Sequence, residues 1–347
     1  MKCILMIFLL MTVIPVRASA LEITAPEAPY HIQEILPENM DNIGIALPEL
    51  LENVLYGTYP ELKSVCGTCT TLFAAMMIAS LLHTFSSPVK RAGNVAFSVI
   101  ITALLIQSTG SLVDLAGETI RQLSDYGKLL WPVMTAAMAA QGGFTASAAL
   151  YVATAAFDMI LSGLISGFLL PLVYAFLGLA VGNSMCGEEA LKRMKEFVKS
   201  LVSWSLKIVL TIFTTYLSLT GVVNGATDAA ALKATKVTIS SVVPVVGGIM
   251  SDASEAVLVS AAMMKNAAGI YGILVILALF LYPFLKIAFP YLVLKLTAAL
   301  GAVFAPKEVS GLVEDFATAT GLLLAMIGST CLMLLISVFC FMKGVPW

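Results

Sequence analysis

The stretch "WPVMTAAMAAQGG", Trp131 to Gly143, lies near the start of fifty-five mostly apolar residues, 129–183, and its reading decides the fold. A straight transmembrane helix needs about 20 apolar residues, so the run is far too long for one crossing. The polar segment "DLAGETIRQLSDYGK" (114–128) precedes it and "GEEALKRMKEFVK" (187–199) follows it. If those flanks lie on opposite sides of a membrane, an odd number of crossings must fit between them. Three short spans satisfy this, but one full span after a re-entrant hairpin broken at Pro132 and Gly142-Gly143 uses the sequence better.

The whole chain agrees with a membrane setting. Of 347 residues, 59% are hydrophobic and 12% charged, against roughly 45–50% and 25% in soluble domains. Apolar blocks recur from about residue 65 onward, which leaves no room for a large soluble core. The expectation is an all-α polytopic membrane protein with about six to eight transmembrane helices, including re-entrant hairpins. A net charge of −2 without a basic patch argues against nucleic acid as a partner.

At the N-terminus Lys2 precedes the core "ILMIFLLMTVI", then Pro15, Arg17 and "ASA" at 18–20. This pattern predicts a signal peptide, residues 1–20, cleaved after Ala20. An uncleaved first span is the alternative, but the apolar core is short for one. Cleavage starts the mature chain outside the cytoplasm at Leu21. Residues 21–64 then form an acidic outer segment whose "LPELLENVLYG" predicts a short amphipathic helix, starting at Pro48 and ending by Gly57.

From 65 to 347 the chain reads as one membrane domain. Spans are expected at about 65–85 and 94–113, joined by a loop whose Lys90 and Arg91 place it in the cytoplasm. The polar 187–199 segment is also placed inside. Further spans are expected at 201–223, 267–284, 288–305 and 320–342, with "KEVSGLVED" as an outer loop and Lys343 inside. An internal repeat is also suggested: Thr109-Gly110, Pro132 and Pro171 are matched in spacing by Thr220-Gly221, Pro244 and Pro283. The units would be about 94–186 and 201–300, of one orientation, as in some transporters; chance placement of common residue types is the alternative.

Chemistry-bearing residues are few. "PVVGGIMSDASEA", Pro244 to Ala256, brings Pro244, Gly247, Gly248, Ser251, Asp252, Ser254 and Glu255 into an apolar region. Asp252 and Glu255 have capping-box spacing, which makes both acids helix caps. The other reading is a helix N-terminus at membrane depth that binds a solute or lines a water path. Asp158, Lys207 and Lys295 are candidate intramembrane charges, which must face protein, water or an interface. Asp158 and Lys207 could pair, and Lys286 could snorkel to the membrane edge. In 187–199, Lys192, Arg193 and Lys195 decorate a helix that lies on the cytoplasmic surface or docks a partner. "CGTC" at Cys66–Cys69 reads as small packing residues more readily than as a redox pair. There is no H-E-x-x-H, no phosphate-binding loop and no histidine near a nucleophile, so no catalytic, cofactor-binding or metal-binding residues are assigned.

Four strings carry a family resemblance: "TGVVNGATDAAALKATK" (220–236), "ISSVVPVVGGIMSDASEAVLVSAAMMKNAAG" (239–269), "LVLKLTAA" (292–299) and "VSGLVEDFATATGLLLAM" (309–326). In these the chain resembles the stage III sporulation protein AE family of endospore-forming bacteria. The resemblance implies a multi-pass subunit of the complex between mother cell and forespore, set in the mother-cell membrane surrounding the forespore. It also implies partnership with other stage III membrane proteins, ring-forming proteins and a separate ATPase-like subunit, in support of late forespore gene expression. A self-contained small-molecule permease and a passive scaffold are the competing functions.

Overall fold

A computed structural model describes residues 25–37, 40, 43–82, 87–242 and 247–343; among other side chains, those of 218–258 fall outside the description. Every element among the described residues is helical. After the single turn α1 (Tyr30–Gln33) come α2 (Ile43–Leu82), α3 (Ser87–Ala140), α4 (Phe144–Leu164) and, through a π-helical turn at Ile165–Leu169, α5 (Leu170–Cys186). Then follow α6 (Glu189–Val242), α7 (Gly247–Gly301) and α8 (Lys307–Lys343). Among the described residues, six stretches are long and apolar enough to cross a membrane: Lys63–Leu81, Ala92–Ala140, Phe144–Cys186, Glu189–Leu217, Val259–Gly301 and Lys307–Lys343.

Proline does less than the sequence suggests. Pro132 lies inside α3, Pro48 and Pro60 inside α2, and Pro283 and Pro290 inside α7. Neighbouring helices, waters and local adjustment can satisfy a carbonyl that a proline frees, which is why membrane helices tolerate proline. The break in the opening stretch therefore comes only at Gly142, whose φ of 87° suits glycine and strains other residues. Gly142 N–H reaches Ala139 O at 2.8 Å, and the chain reverses into α4. Likewise the amphipathic 47–57 segment does not end at Gly57; it continues into the first span as one 40-residue helix. Its inner face, Ala46, Leu50 and Val54, is buried.

The longest consequence concerns 267–305, expected as two spans. They are one helix, α7, running through both prolines. That changes which end of the bundle the next segment occupies. Glu308 receives a hydrogen bond from Asn94 at 3.2 Å, its carbonyl accepts from Ser184 Oγ at 3.0 Å, and Asp315 pairs with Lys195. The "KEVSGLVED" segment thus shares an end with 94, 184 and 195, whereas the sequence placed it opposite them. The C-terminal end of α8 lies at the other end, where Met342 packs on Gly269.

Cross-contacts fix the register of the bundle. Ser98 with Ser184, Gly117 with Leu170, and Ser124 with Asp158 run antiparallel along α3 and α4–α5. α8 is the central helix, buried from Val309 to Phe341 along most of its length. Within a bilayer, lipid tails are as apolar as leucine, so close backbone approach and shape drive association. Glycine supplies that approach at Gly272, where an added Cβ would sit 2.8 Å from Leu130, and at Gly301, 2.5 Å from Met76.

The Ala92–Ala140 stretch, 49 residues, is about 73 Å long, more than twice a hydrocarbon core of roughly 30 Å. Its exposed face shows which part suits lipid. Val99, Ile100 and Leu104 are exposed and apolar, as are Leu292 and Leu296 on α7 and Met77 and Ile78 on α2. From Asp114 the same helix exposes Asp114, Glu118, Arg121, Asp125 and Lys128, with ion pairs Arg121–Glu118 and Lys128–Asp125. The apolar girdle at 92–113 is therefore about 33 Å deep, one bilayer core.

Candidate functional site: a polar crevice between α2, α3 and α7

At the edge of that girdle the three helices part around a cavity of about 300 Å³. α2 contributes Glu61, Ser64, Thr68 and Cys69; α3 contributes Ser108, Thr109 and Ser111; α7 contributes Lys286 and Pro290, with Leu105, Phe289 and Val293 among the apolar walls. The mouth carries an ion pair, Lys286 Nζ to Glu61 Oε1 at 2.5 Å, which Tyr282 Oη joins at 3.4 Å. The other carboxylate oxygen, Oε2, is buried and has no partner among the described residues. Deeper in, Cys69 Sγ and Thr297 Oγ1 are 2.7 Å apart.

Three hydroxyls of this crevice commit their protons to their own helices. Ser108 donates to Leu105 O at 3.1 Å, Ser111 to Ser108 O at 2.8 Å and Thr68 to Ser64 O at 3.4 Å. Each of these oxygens keeps its lone pairs, so all three offer acceptors. Pro290 has no N–H to give to the carbonyl of Lys286, one turn earlier, which adds another acceptor at the same level.

The sequence missed this site because both charged members had a local explanation. Glu61 read as one of several acids in an outer segment and Lys286 as a snorkelling lysine, and nothing in their spacing announced a contact between α2 and α7. The polar residues at 108–111 were visible as the end of a span and, at Thr109-Gly110, as a marker of the suggested repeat.

The residues singled out from sequence are scattered. Asp158 is buried and accepts a hydrogen bond from Ser124 at 2.5 Å; its Oδ1 has no partner among the described residues. Lys207 is exposed on α6, so the suggested Asp158–Lys207 pair does not form. Lys295 pairs across to Glu314 at 2.7 Å with both side chains about half exposed. Lys195 is turned inward onto both oxygens of Asp315, at 2.7 and 2.8 Å, and leaves the exposed face shared by Lys192 and Arg193. Arg193 stands 3.9 Å from Glu189, four residues earlier on the same helix. Pro244 lies outside the described residues. Gly247, Gly248, Ser251, Asp252, Ser254 and Glu255 belong to the first turns of α7, which begins at Gly247. Asp252 therefore sits inside the helix, past its first turn, where the sequence placed its cap. Cys66 and Cys69 lie on consecutive turns of α2 as free thiols.

Six membrane-length helices among the described residues, one of them the buried central α8, with polar groups gathered at one edge of an apolar girdle, define a multi-pass helical membrane protein. Residues 30–344 match the family described as Stage III sporulation protein AE (spore_III_AE), and the chain belongs to that family. A curated relative, "Stage III sporulation protein AE" of Bacillus subtilis (strain 168), is 26% identical over 238 residues, 67% of this chain. The match spans 59% of that relative's length. No solved structure matches.

Proposed function

We propose that this chain is a membrane-core subunit of the channel or export complex linking mother cell and forespore, needed for late forespore gene expression and spore formation. It sits in the mother-cell membrane surrounding the forespore, with its mature N-terminus outside the cytoplasm after loss of residues 1–20. Its partners are other stage III sporulation membrane proteins, ring-forming proteins and a separate ATPase-like subunit, and it performs no catalysis itself. The observation that carries this reading is the family match, which extends over 30–344 and so takes in the six membrane-length helices of the described residues.

Orientation follows from charge. Lys90, Arg91, Lys192, Arg193, Lys195, Lys199 and Lys307 fall at one end of the bundle, which the positive-inside rule assigns to the cytoplasm. Lys192 and Arg193 on the exposed face of α6 are the proposed docking point for a cytoplasmic partner. The 244–255 segment remains the proposed lining of a polar path, with Asp252 and Glu255 as its charges.

The deciding experiment reconstitutes the purified chain alone in vesicles and, in parallel, complements a sporulating host that lacks its own copy. A complex subunit restores spores and passes no solute by itself. Solute uptake by the chain alone makes it a permease, the reading favoured by the crevice at Glu61 and Lys286. In the same host, Asp252→Asn with Glu255→Gln should stop spore formation while leaving protein level and assembly normal; wild-type sporulation in that variant removes these acids from the path.

A further inference from the structure

We propose that the crevice between α2, α3 and α7 is a binding site for a small primary ammonium, with Lys286 as the tethered occupant that a ligand displaces. This rests on the geometry of the site and is independent of the complex in which the chain works. Glu61 has two oxygens and one cation: Oε1 takes Lys286 Nζ, and the buried Oε2 takes nothing among the described residues. An unpaired carboxylate oxygen removed from water is costly, so a second donor is favoured there. The surroundings suit an ammonium, which has three donors and no acceptor. Ser108, Ser111 and Thr68 present oxygens whose protons are committed to backbone carbonyls, and the Lys286 carbonyl is released by Pro290.

The volume fits the same class. About 300 Å³ admits a short alkylammonium, whose chain would lie against Leu105, Phe289 and Val293. Displaced Lys286 has somewhere to go. Its Nζ already stands 5.6 Å from the centre of the Tyr282 ring, within cation–π range, and the crevice opens at the girdle edge where a lysine reaches water along its own stem. Lys286 thus competes for Glu61 and sets the affinity.

The test titrates full-length protein in lipid nanodiscs with propylammonium, using propanol as the neutral control and calorimetry as the readout. Lys286→Met removes the competitor and should bind propylammonium about tenfold or more tighter than the natural chain, the equivalent of one charge-assisted hydrogen bond. Glu61→Gln combined with Lys286→Met should not bind it, and propanol should bind to none. Lys286→Gln, which leaves a neutral donor beside Glu61, takes the place of Lys286→Met if the latter does not fold. Absence of propylammonium binding in a folded Lys286 variant overturns the proposal and leaves the pair as a tie between α2 and α7. Binding that survives Glu61→Gln, or that propanol matches, overturns it equally.

Discussion

Lys195 and Asp315 show how far one pair of side chains can depart from the role its sequence context gives it. Lys195 is buried, the Asp315 side chain is 13% exposed, and their charges meet at 2.7 Å. Removing one partner strands the other charge, so Lys195→Met should lower stability by about 3–5 kcal/mol, while Lys195→Met with Asp315→Leu should recover most of it. Thermal unfolding in detergent of the single and double variants measures the difference. Lys192 and Arg193, on the exposed face, behave differently: their reversal to glutamate should leave the unfolding temperature unchanged. Asp158 offers a second residue-scale case. Ser124→Ala deletes the hydrogen-bond donor to a buried carboxylate and should cost about 1–3 kcal/mol, more than the same change at exposed Ser111. Equal unfolding temperatures for the two would show that Ser124 does not hold Asp158.

At the scale of elements, the helix end in the 131–143 stretch is set by glycine and not by proline. Gly142 is the turn between α3 and α4, with φ of 87°, and a β-branched residue there would be forced into a left-handed conformation. Gly142→Val should therefore cost about 1–2 kcal/mol, and Pro132→Ala should cost nothing or add stability by returning an N–H to the α3 ladder. Hydrogen exchange at Ala139–Phe144 in the two variants checks this; a larger loss of protection with Pro132→Ala would reverse the assignment. The sequence showed both candidate breaks but could not rank them. Proline's effect in a membrane helix depends on what its neighbours offer the freed carbonyl, whereas the sign of φ is a property of the residue itself.

For the whole molecule, the continuity of α7 decides topology. With α7 as one span, Cys186 and the 307–315 segment share a side and the C-terminal end of α8 lies on the other, together with the start of α2. In a background lacking the other cysteines, Cys186 and a cysteine replacing Glu308 should react with a membrane-impermeant maleimide only after the cytoplasm is opened. A cysteine replacing Lys343 should react in intact cells. Reaction of the 308 and 343 positions in the opposite order would restore two spans in 267–305.

What the sequence determined by itself follows from solvent preference, which composition reports directly. An excess of apolar residues in blocks longer than a soluble core requires dictates helices in a membrane, because a helix satisfies its backbone within one segment, whereas the strands of a barrel are short and alternate apolar with polar residues. The family followed from long irregular strings that tolerate little coincidence. Tertiary structure alone decided which charges meet: Glu61 with Lys286, Lys195 with Asp315, Lys295 with Glu314. Each pair joins residues on different helices. Charge pairing is set by distance in space, and along a chain of parallel and antiparallel helices that distance depends on register, which hydropathy leaves open because every turn of an apolar helix looks like the next.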